Sequence, residues 1–567
     1  MVSSLIAVIA ALPRGLDLTD EGSRLHIIAF PTLYFRVSQF GFVFNPIFNV
    51  LGRDIVLFRL FGFVSMLLLS LYMFSRILGL LRHEIGPIGT RDFVVLVLIF
   101  ASSAILFYGS WLPTPNYNTL NMFGCFLVAA GLVPRPNFVL SSNPRPISLL
   151  AIDGSLLAIG LAVCFLAKPT TPVVLAPLVL LVVAQADRSV MLAAIVIGGS
   201  SAIVIATLFA IDATPNAIID RYADERAWRH ILQSGHDFKS LLTFSTYHLT
   251  EEHGLTCMFA IAVSLFFVRV GSRNARHSTF GKRSVAVWFI VLAAGTFGIH
   301  FYAIAWNQML PLTIPIYATV SAGCLLMTCR WTDASINWGM LTSAGVLMVF
   351  PFAVGFGSAS KLLVSVGPAG VFWVAGTLLL IGALSGASLA RDFMMATALV
   401  TSIVCSGVVA GSWIRPYRIP TPLWLQTEWI SVREHDRAVQ VDPATATYFR
   451  QLREALAKNG FTDGTPIIDL TGMSPTTVYA VGGSALGAAW LLGAYPGSSE
   501  FATLIVARMQ RTDLERAWIL TAPNGERRID VSVLTRNGVD FPGSYAEAGR
   551  ATTGYLNELQ ILWKPIR

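Results

Sequence analysis

The sequence predicts a polytopic α-helical membrane protein with a C-terminal α/β domain outside the membrane. Three observations predict it. Of 567 residues, 54% are hydrophobic and only 13% charged, against about 25% charged in soluble domains. The apolar residues fall in successive runs near the ~20-residue length that spans a bilayer. The runs then stop near residue 413, and residues 414–567 hold none of spanning length.

Taken in order, the chain opens with about ten apolar residues before Pro13, short of a span. That stretch lacks the basic start of a secretion signal, so it reads as a first spanning helix, either short or missing residues at its start. Further runs follow at 55–80, 92–110, 118–134, 148–167, 172–186, 190–211, 254–270, 285–306, 309–329, 338–356, 365–386 and 393–413. About thirteen transmembrane helices are expected in all, with Lys168-Pro169 interrupting the 148–186 region.

Orientation follows from the basic residues of the short loops. Arg82, Arg91, Arg135, Arg145, Arg188, Arg273, Arg276, Lys282, Arg283, Arg330 and Arg391 occupy alternate loops, which should be cytoplasmic. The opposite set holds 14–53, 111–117, Lys168-Pro169, 212–253, Asn307-Gln308 and 357–364, and should face outward together with everything after Trp413. The expected organisation is a transmembrane domain, 1–413, with outer loops 14–53 and 212–253, and a soluble extracytoplasmic domain, 414–567. The expected location is the bacterial cytoplasmic (inner) membrane, as a multi-pass protein with its C-terminal domain extracytoplasmic. Placing the basic residues by topology removes nucleic acid as a partner. Cys125, Cys164, Cys257, Cys324, Cys329 and Cys405 lie in or beside apolar stretches without metal-ligand spacing, which argues against a disulfide framework.

Residues 26–50, with His26, Phe30, Tyr34, Phe35, Phe40, Phe42, Phe44 and Phe48, read as a helix lying half in lipid. Residues 215–250, with Arg221, Trp228 and Arg229, read as a second interfacial element or an ordinary loop. In the C-terminal domain, Asp442-Pro443 caps a helix over 443–458 that stops at Asn459-Gly460. Strands are expected at 466–470, 518–520 and 529–534, a Gly-rich helix at 477–494, and an apolar segment at 501–509. Gly482-Gly483-Ser484 lacks the spacing of a phosphate loop and is read as close packing. Trp424, Trp429, Tyr479, Trp490 and Tyr495 are read as core, with a glycan platform as the alternative.

The chemistry concentrates in Leu16-Asp17-Leu18-Thr19-Asp20-Glu21-Gly22, where three carboxylates sit beside Arg14 and Arg24 at a membrane edge. Charge is expensive there and marks a site by default. Sugar transfer from a lipid phosphate to a hydroxyl needs a general base and a cation for the leaving phosphate. Asp20 or Glu21 suits the first need. Lys168, Arg24 and Arg221, on loops of the same expected face, suit the second.

The order of these features resembles the GT-C superfamily of polyprenyl-phosphate-sugar-dependent glycosyltransferases, closest to its bacterial protein-mannosyltransferase and aminoarabinose-transferase branch. The resemblance rests on the apolar first helix followed by Thr19-Asp20-Glu21-Gly22, and on Arg53 and Arg59 bracketing the next run. Pro115-Asn116-Tyr117-Asn118-Thr119-Leu120 and Gly160-Leu161-Ala162 with Ala167-Lys168-Pro169-Thr170 complete it. It covers about residues 1–410 in architecture. It implies Asp20 as catalytic aspartate, Glu21 as the carboxylate orienting acceptor or cation, and Lys168 near the donor phosphate. Asn116 stands where some relatives carry Asp, and Arg24 has no secure counterpart. Tyr117, Asn118, His300 and Asn307 are pocket candidates; a packed His300 and a capping Asn307 are the plain alternatives. The turn Gly355-Phe356-Gly357-Ser358 with Lys361 reads as a plain connector or a donor contact.

The implied function is an inverting transfer from a polyprenyl-phosphate-linked sugar to an outer glycan, lipid or protein acceptor. The sequence points to no definite cofactor, and a divalent cation stays open, because no aspartate beyond Asp17 is spaced for a metal. Two other classes compete. A secondary transporter or lipid flippase would show paired broken helices in repeated halves. A non-catalytic membrane assembly protein would be indifferent to loss of the Asp20 carboxylate.

Overall fold

The computed structural model describes residues 1–34, 37–86, 88–134, 147–185, 189–212, 214–233, 310–315, 317–319, 321–322, 336–358, 365–384, 387–433 and 435–566. It is mostly helical, with a small sheet region at the C-terminus. Among the described residues, six helical stretches are long and apolar enough to cross a membrane. They are α4 (Ile55–Glu84), α5 (Thr90–Ala101) with its 3-10 continuation to Ser110, α7 (Ile147–Ala167), α9 (Ser189–Asp212), α11 (Trp338–Gly355) and α13 (Ala387–Ile414). Four expected spans are shorter: α1 (Val2–Ala11), α6 (Tyr117–Leu132), α8 (Thr170–Val183) and α12 (Val371–Leu384). The runs expected at 254–270 and 285–306 lie outside the described residues, as do 309, 316, 320 and 323–329 of the next run.

The ends of these helices obey their local chemistry. Asp54 caps α4 by accepting from the Leu57 amide at 2.8 Å, and Arg82 and His83 sit in its last turn, where cations suit the carbonyl end of the helix dipole. Asn116 opens α6 with a reciprocal capping box shared with Thr119. The Cys164 thiol donates to the Asn121 carbonyl at 3.6 Å, tying α7 to α6. The core of the bundle is a continuous apolar cluster that includes Phe74, Phe100, Phe126, Phe350, Phe372 and Trp373.

The loop 14–53, expected to face outward, holds two helices, and only one resembles the expectation. α3 (Phe40–Val50) turns Phe40, Phe44 and Phe48 inward and leaves Val50 exposed. α2 (Asp20–Ala29) is not half in lipid. Every residue from Glu21 to Ala29 is buried, because the C-terminal domain covers it. The element at 215–250 begins as α10 (Pro215–Leu232), capped by Thr214. It too packs on that domain, with Trp228 against Phe501 at 5.8 Å and Arg508 paired to Asp224 at 3.1 Å.

The C-terminal domain starts with an antiparallel pair, β1 (Glu428–Val432) and β2 (His435–Val441). Next comes α14 (Pro443–Lys458), where the Asp442 carboxylate accepts from the amides of Ala444 and Thr445, as its sequence predicts. β3 (Pro466–Asp469) leads to α15 (Pro475–Ala480), β4 (Ser484–Ala485), α16 (Ser498–Ala507), β5 (Trp518–Thr521), β6 (Tyr545–Thr552) and β7 (Leu559–Pro565). The sheet order is β4-β3-β5-β7-β6, parallel across β4-β3-β5 and antiparallel beyond. Two expectations fail. The helix expected over 477–494 ends at Ala480, because Gly482 and Gly487 take φ values of +86° and +68° that an α-helix excludes. The strand expected at 529–534 is instead a turn into a short helix, Ser532–Arg536, because Asp530 accepts from the Ser532 amide at 2.7 Å.

Candidate active site

Pro13 follows the end of α1, and the chain does not return directly to the bundle. Residues 13–15 pair with the C-terminal domain: the Gln440 amide donates to the Pro13 carbonyl at 2.7 Å, and the Gly15 amide to the Gln440 carbonyl at 2.8 Å. Asp17 then turns the chain. Its carboxylate accepts from the Thr19 amide at 3.0 Å, the Thr19 hydroxyl at 2.8 Å and the Glu21 amide at 3.3 Å. Asp17, rather than Thr19, thus satisfies one free amide at the head of α2, that of Glu21. Asp20 and Glu21 occupy the first turn, where the helix dipole favours carboxylates.

The three carboxylates have three different fates. Asp17 is 1% exposed and closed into its turn. Glu21 is 3% exposed; it accepts from Arg59 at 2.6 Å, from the Thr114 hydroxyl and from the Asp17 amide at 3.2 Å. The role expected for Glu21, orienting an acceptor or a cation, finds no support in this geometry: its oxygens are taken by the chain. Asp20 keeps 26% of its side chain exposed. Its Oδ1 meets Arg24 at 3.3 Å, and its Oδ2 meets Arg418 at 3.1 Å and the Tyr417 hydroxyl at 3.3 Å. Arg418 also donates to the Thr19 hydroxyl at 2.7 Å. These contacts use Nη1 alone, with Nε and Nη2 unpartnered among the described residues.

Of the other expected residues, Tyr117 joins this cluster, its ring 5.8 Å from the Arg24 guanidinium. Asn118 follows it in the first turn of α6, its amide donating to the Asn116 side chain at 2.8 Å. Arg221 is not a partner of Asp20; it is paired with Asp212 at 2.5 and 2.9 Å and lies over the Phe42 ring. Lys168 sits at the same end of the bundle, beside Ala167, whose carbonyl accepts from Ser38. Its ammonium is buried, donating to the Val354 carbonyl at 2.7 Å and Ser358 at 2.8 Å. Those bonds pin the end of α11 and give the 355–358 turn a structural purpose. His300, Asn307 and Lys361 lie outside the described residues. Among the described residues, no group of three or more His, Cys, Asp or Glu side chains is placed to hold a metal ion.

Lys168→Met is therefore expected to act on stability. It leaves the Val354 carbonyl unpaired, at a cost of about 1–3 kcal/mol. Thermal unfolding of the purified protein should show the loss. An unchanged melting temperature with a raised donor requirement would restore the phosphate role.

Tyr417, Arg418, Thr114 and Thr476 were not visible as site residues in the sequence. Arg418 reaches Asp20 across 398 positions, and its only signal is a basic residue just past the last apolar run. Thr476 is the main suture. Its hydroxyl accepts from the Gly22 amide at 2.8 Å and donates to the Asp17 carbonyl at 2.5 Å, and its amide donates to the Leu18 carbonyl at 3.1 Å. A Cβ on Gly22 would lie 2.1 Å from Thr476 Cα, so only glycine permits this approach. The contact continues every fourth residue. His26 stacks edge-on against Tyr479 at 5.2 Å, Phe30 lies under Arg433 at 4.9 Å, and Tyr34 donates to the Ala485 carbonyl at 2.9 Å. Beneath Thr476, Asp469 ends β3 and accepts from Thr471 and the Ser474 amide, setting the turn into α15.

Burial, then the nearby Asp20 charge, pushes the Asp17 carboxyl up to about 7. Burial raises Asp469 to about 6. An acid raised in the folded state binds protons more tightly than the unfolded chain. Its stabilising contribution is full below pH ~4 and is lost as pH rises through the folded value. His26, lowered to about 3 by burial and Arg433, acts oppositely between pH ~3 and ~6.5. The Asp17 effect is isolated by difference: the melting temperature of Asp17→Asn minus that of the wild type should grow more positive from pH 5 to 8. A pH-independent difference would contradict the raised value.

Compared with protein-family models, curated proteins and solved structures, the chain matches none.

Proposed function

We propose that this protein is a membrane glycosyltransferase that moves a sugar from a polyprenyl-phosphate donor to a hydroxyl acceptor at the extracytoplasmic face, with Asp20 as general base. The observation that carries the reading is the sorting of the carboxylates. Asp17 and Glu21 are enclosed by the chain, while Asp20 remains partly exposed among Arg24, Arg418, Tyr417 and Tyr117. A base and cations side by side suit a displacement at a sugar phosphate. The acceptor oxygen attacks the anomeric carbon, the bond from that carbon to the phosphate oxygen breaks, and the hydroxyl proton passes to Asp20. The polyprenyl phosphate leaves with the electron pair, stabilised by guanidinium charge. A single displacement inverts the anomeric centre. Arg24 and Arg418 are better placed for the phosphate than Lys168 or Arg221, whose charged heads are engaged elsewhere.

The test is mass spectrometry of envelope glycans and lipids from cells with and without the protein, together with transfer by purified protein from a polyprenyl-phosphate sugar. A missing sugar restored by wild type but not by Asp20→Asn supports the reading. No change in any glycan or lipid refutes it. A carboxylate between two guanidiniums also suits a purely structural clamp in an assembly protein, and under that reading Asp20→Asn would lower stability and leave the envelope sugars unaltered.

The outward assignment has its own check. Cysteines at exposed Asn49 and Thr512 should react with an impermeant maleimide in intact cells, with the wild-type protein as background. Protection of both sites would sink the extracytoplasmic reading.

A further inference from the structure

Ten residues beyond the end of α13, the chain displays large apolar side chains to the outside. Trp424, Leu425 and Trp429 are each 47% exposed, and between them lie buried Gln426 and exposed Thr427 and Glu428. Two exposed indoles and an exposed leucine within six residues mark a contact surface. The position of the segment says with what. Leu423, next to Trp424, is fully buried and belongs to the core cluster of the helical bundle, together with Ala11 and Leu12 at the end of α1 and Val408 and Val409 in the last turns of α13. The Arg14 guanidinium donates to the Leu423 carbonyl at 3.0 Å and lies over the Trp413 ring at 5.7 Å. Gln426 closes the turn by donating to Thr421 at 2.7 Å. Trp424 and Leu425 are thus held on a hydrogen-bonded turn at the level where the bundle ends. On α1, Ile6 and Ile9 are exposed at 61% and 48%, an apolar outward surface on a helix whose end meets that turn. Arg415, also exposed, lies one residue past α13.

We infer that Trp424, Leu425 and Trp429 form an interfacial anchor that seats the start of the C-terminal domain in the headgroup layer of the membrane. Amphipathic indole rings settle at that depth, and basic side chains there meet lipid phosphates. The anchor lies six residues from Arg418 along the chain. It steadies the junction that brings Arg418 and Tyr417 to Asp20, and it stands whether or not sugar transfer is the activity.

Fluorescence quenching in lipid nanodiscs tests it. The chain has 13 tryptophans, so the signal is the difference between wild type and Trp424→Phe/Trp429→Phe. That difference emission should be quenched at least threefold more by a headgroup nitroxide lipid than by a lipid brominated deep in its acyl chain, and only weakly by aqueous iodide. Trp424→Tyr and Trp429→Tyr, taken singly, supply the same difference if the double variant fails to fold. Strong iodide quenching without lipid quenching overturns the anchor. So does iodide quenching suppressed by added oligosaccharide, which would mark a glycan platform. Protection from both lipid and aqueous quenchers overturns it too, and would place a second copy of the chain on the patch.

Discussion

Asp20→Asn is expected to lower sugar-transfer turnover by roughly 10²–10⁴-fold, the usual worth of a positioned general base. The amide has the shape of the carboxylate and retains one oxygen to accept from Arg418 or Arg24, so the loop should keep its form. Its scaffolding comes mainly from elsewhere: from Asp17, from Thr476, and from Arg59 through Glu21. Donor binding should persist or tighten, because the change removes a negative charge that competes with phosphate for Arg24 and Arg418. The decisive measurement is single-turnover transfer with purified protein at saturating donor, alongside a melting curve. Near wild-type transfer would remove Asp20 from the mechanism. It could not easily be reassigned to Asp17 or Glu21, whose carboxylates are closed off by the chain. From the sequence alone, Asp20 and Glu21 suit the role equally.

Arg59→Met is expected to cost about 3–5 kcal/mol of stability, the range for breaking a buried ion pair by removing one partner. Set against a total stability of about 5–15 kcal/mol, that threatens expression of the folded protein. Arg59 is fully buried in α4. It donates to the carbonyls of Leu12 at 2.6 Å and Gly15 at 2.8 Å, to Thr114 at 3.1 Å and to Glu21 at 2.6 Å. One side chain therefore fastens the end of α1, the Asp-Glu loop and the approach to α6. Removing it strands a buried carboxylate and two carbonyls. Adding Glu21→Gln should recover part of the loss, since the orphaned charge disappears with it. Thermal unfolding of both variants reads this directly. An Arg59→Met protein as stable as wild type would mean that the loop is held without the pair. Glu21→Gln alone should likewise act on stability, more than on the acceptor or cation binding that its place in the motif suggested.

The membrane character, the helix positions and the cap at Asp442 could all be read from local sequence, because each depends on neighbours within a few residues. Apolar runs near the spanning length became α4, α7, α9, α11 and α13 with shifts of a few residues. The Asp-Glu loop was legible as a candidate site because charge beside an apolar run is conspicuous. The paired strands β1, β2, β6 and β7 were not legible, since a strand is stabilised by a partner that may be remote in sequence. Nor was the burial of α2. Phe30, Tyr34 and His26 have the same composition whether they meet lipid or protein, and the choice was made by α15, some 450 residues away.

By itself, then, the sequence determined that the chain carries helices long and apolar enough to cross a membrane, where they begin, and which loop concentrates acidic charge, since hydropathy and capping are short-range properties. Only the tertiary structure decided which carboxylate stays accessible and which cations face it. Those facts depend on Arg59, Thr476, Tyr417 and Arg418 arriving from separate elements. No pattern within the loop encodes that convergence: Asp17, Asp20 and Glu21 are chemically alike until the rest of the chain encloses two of them.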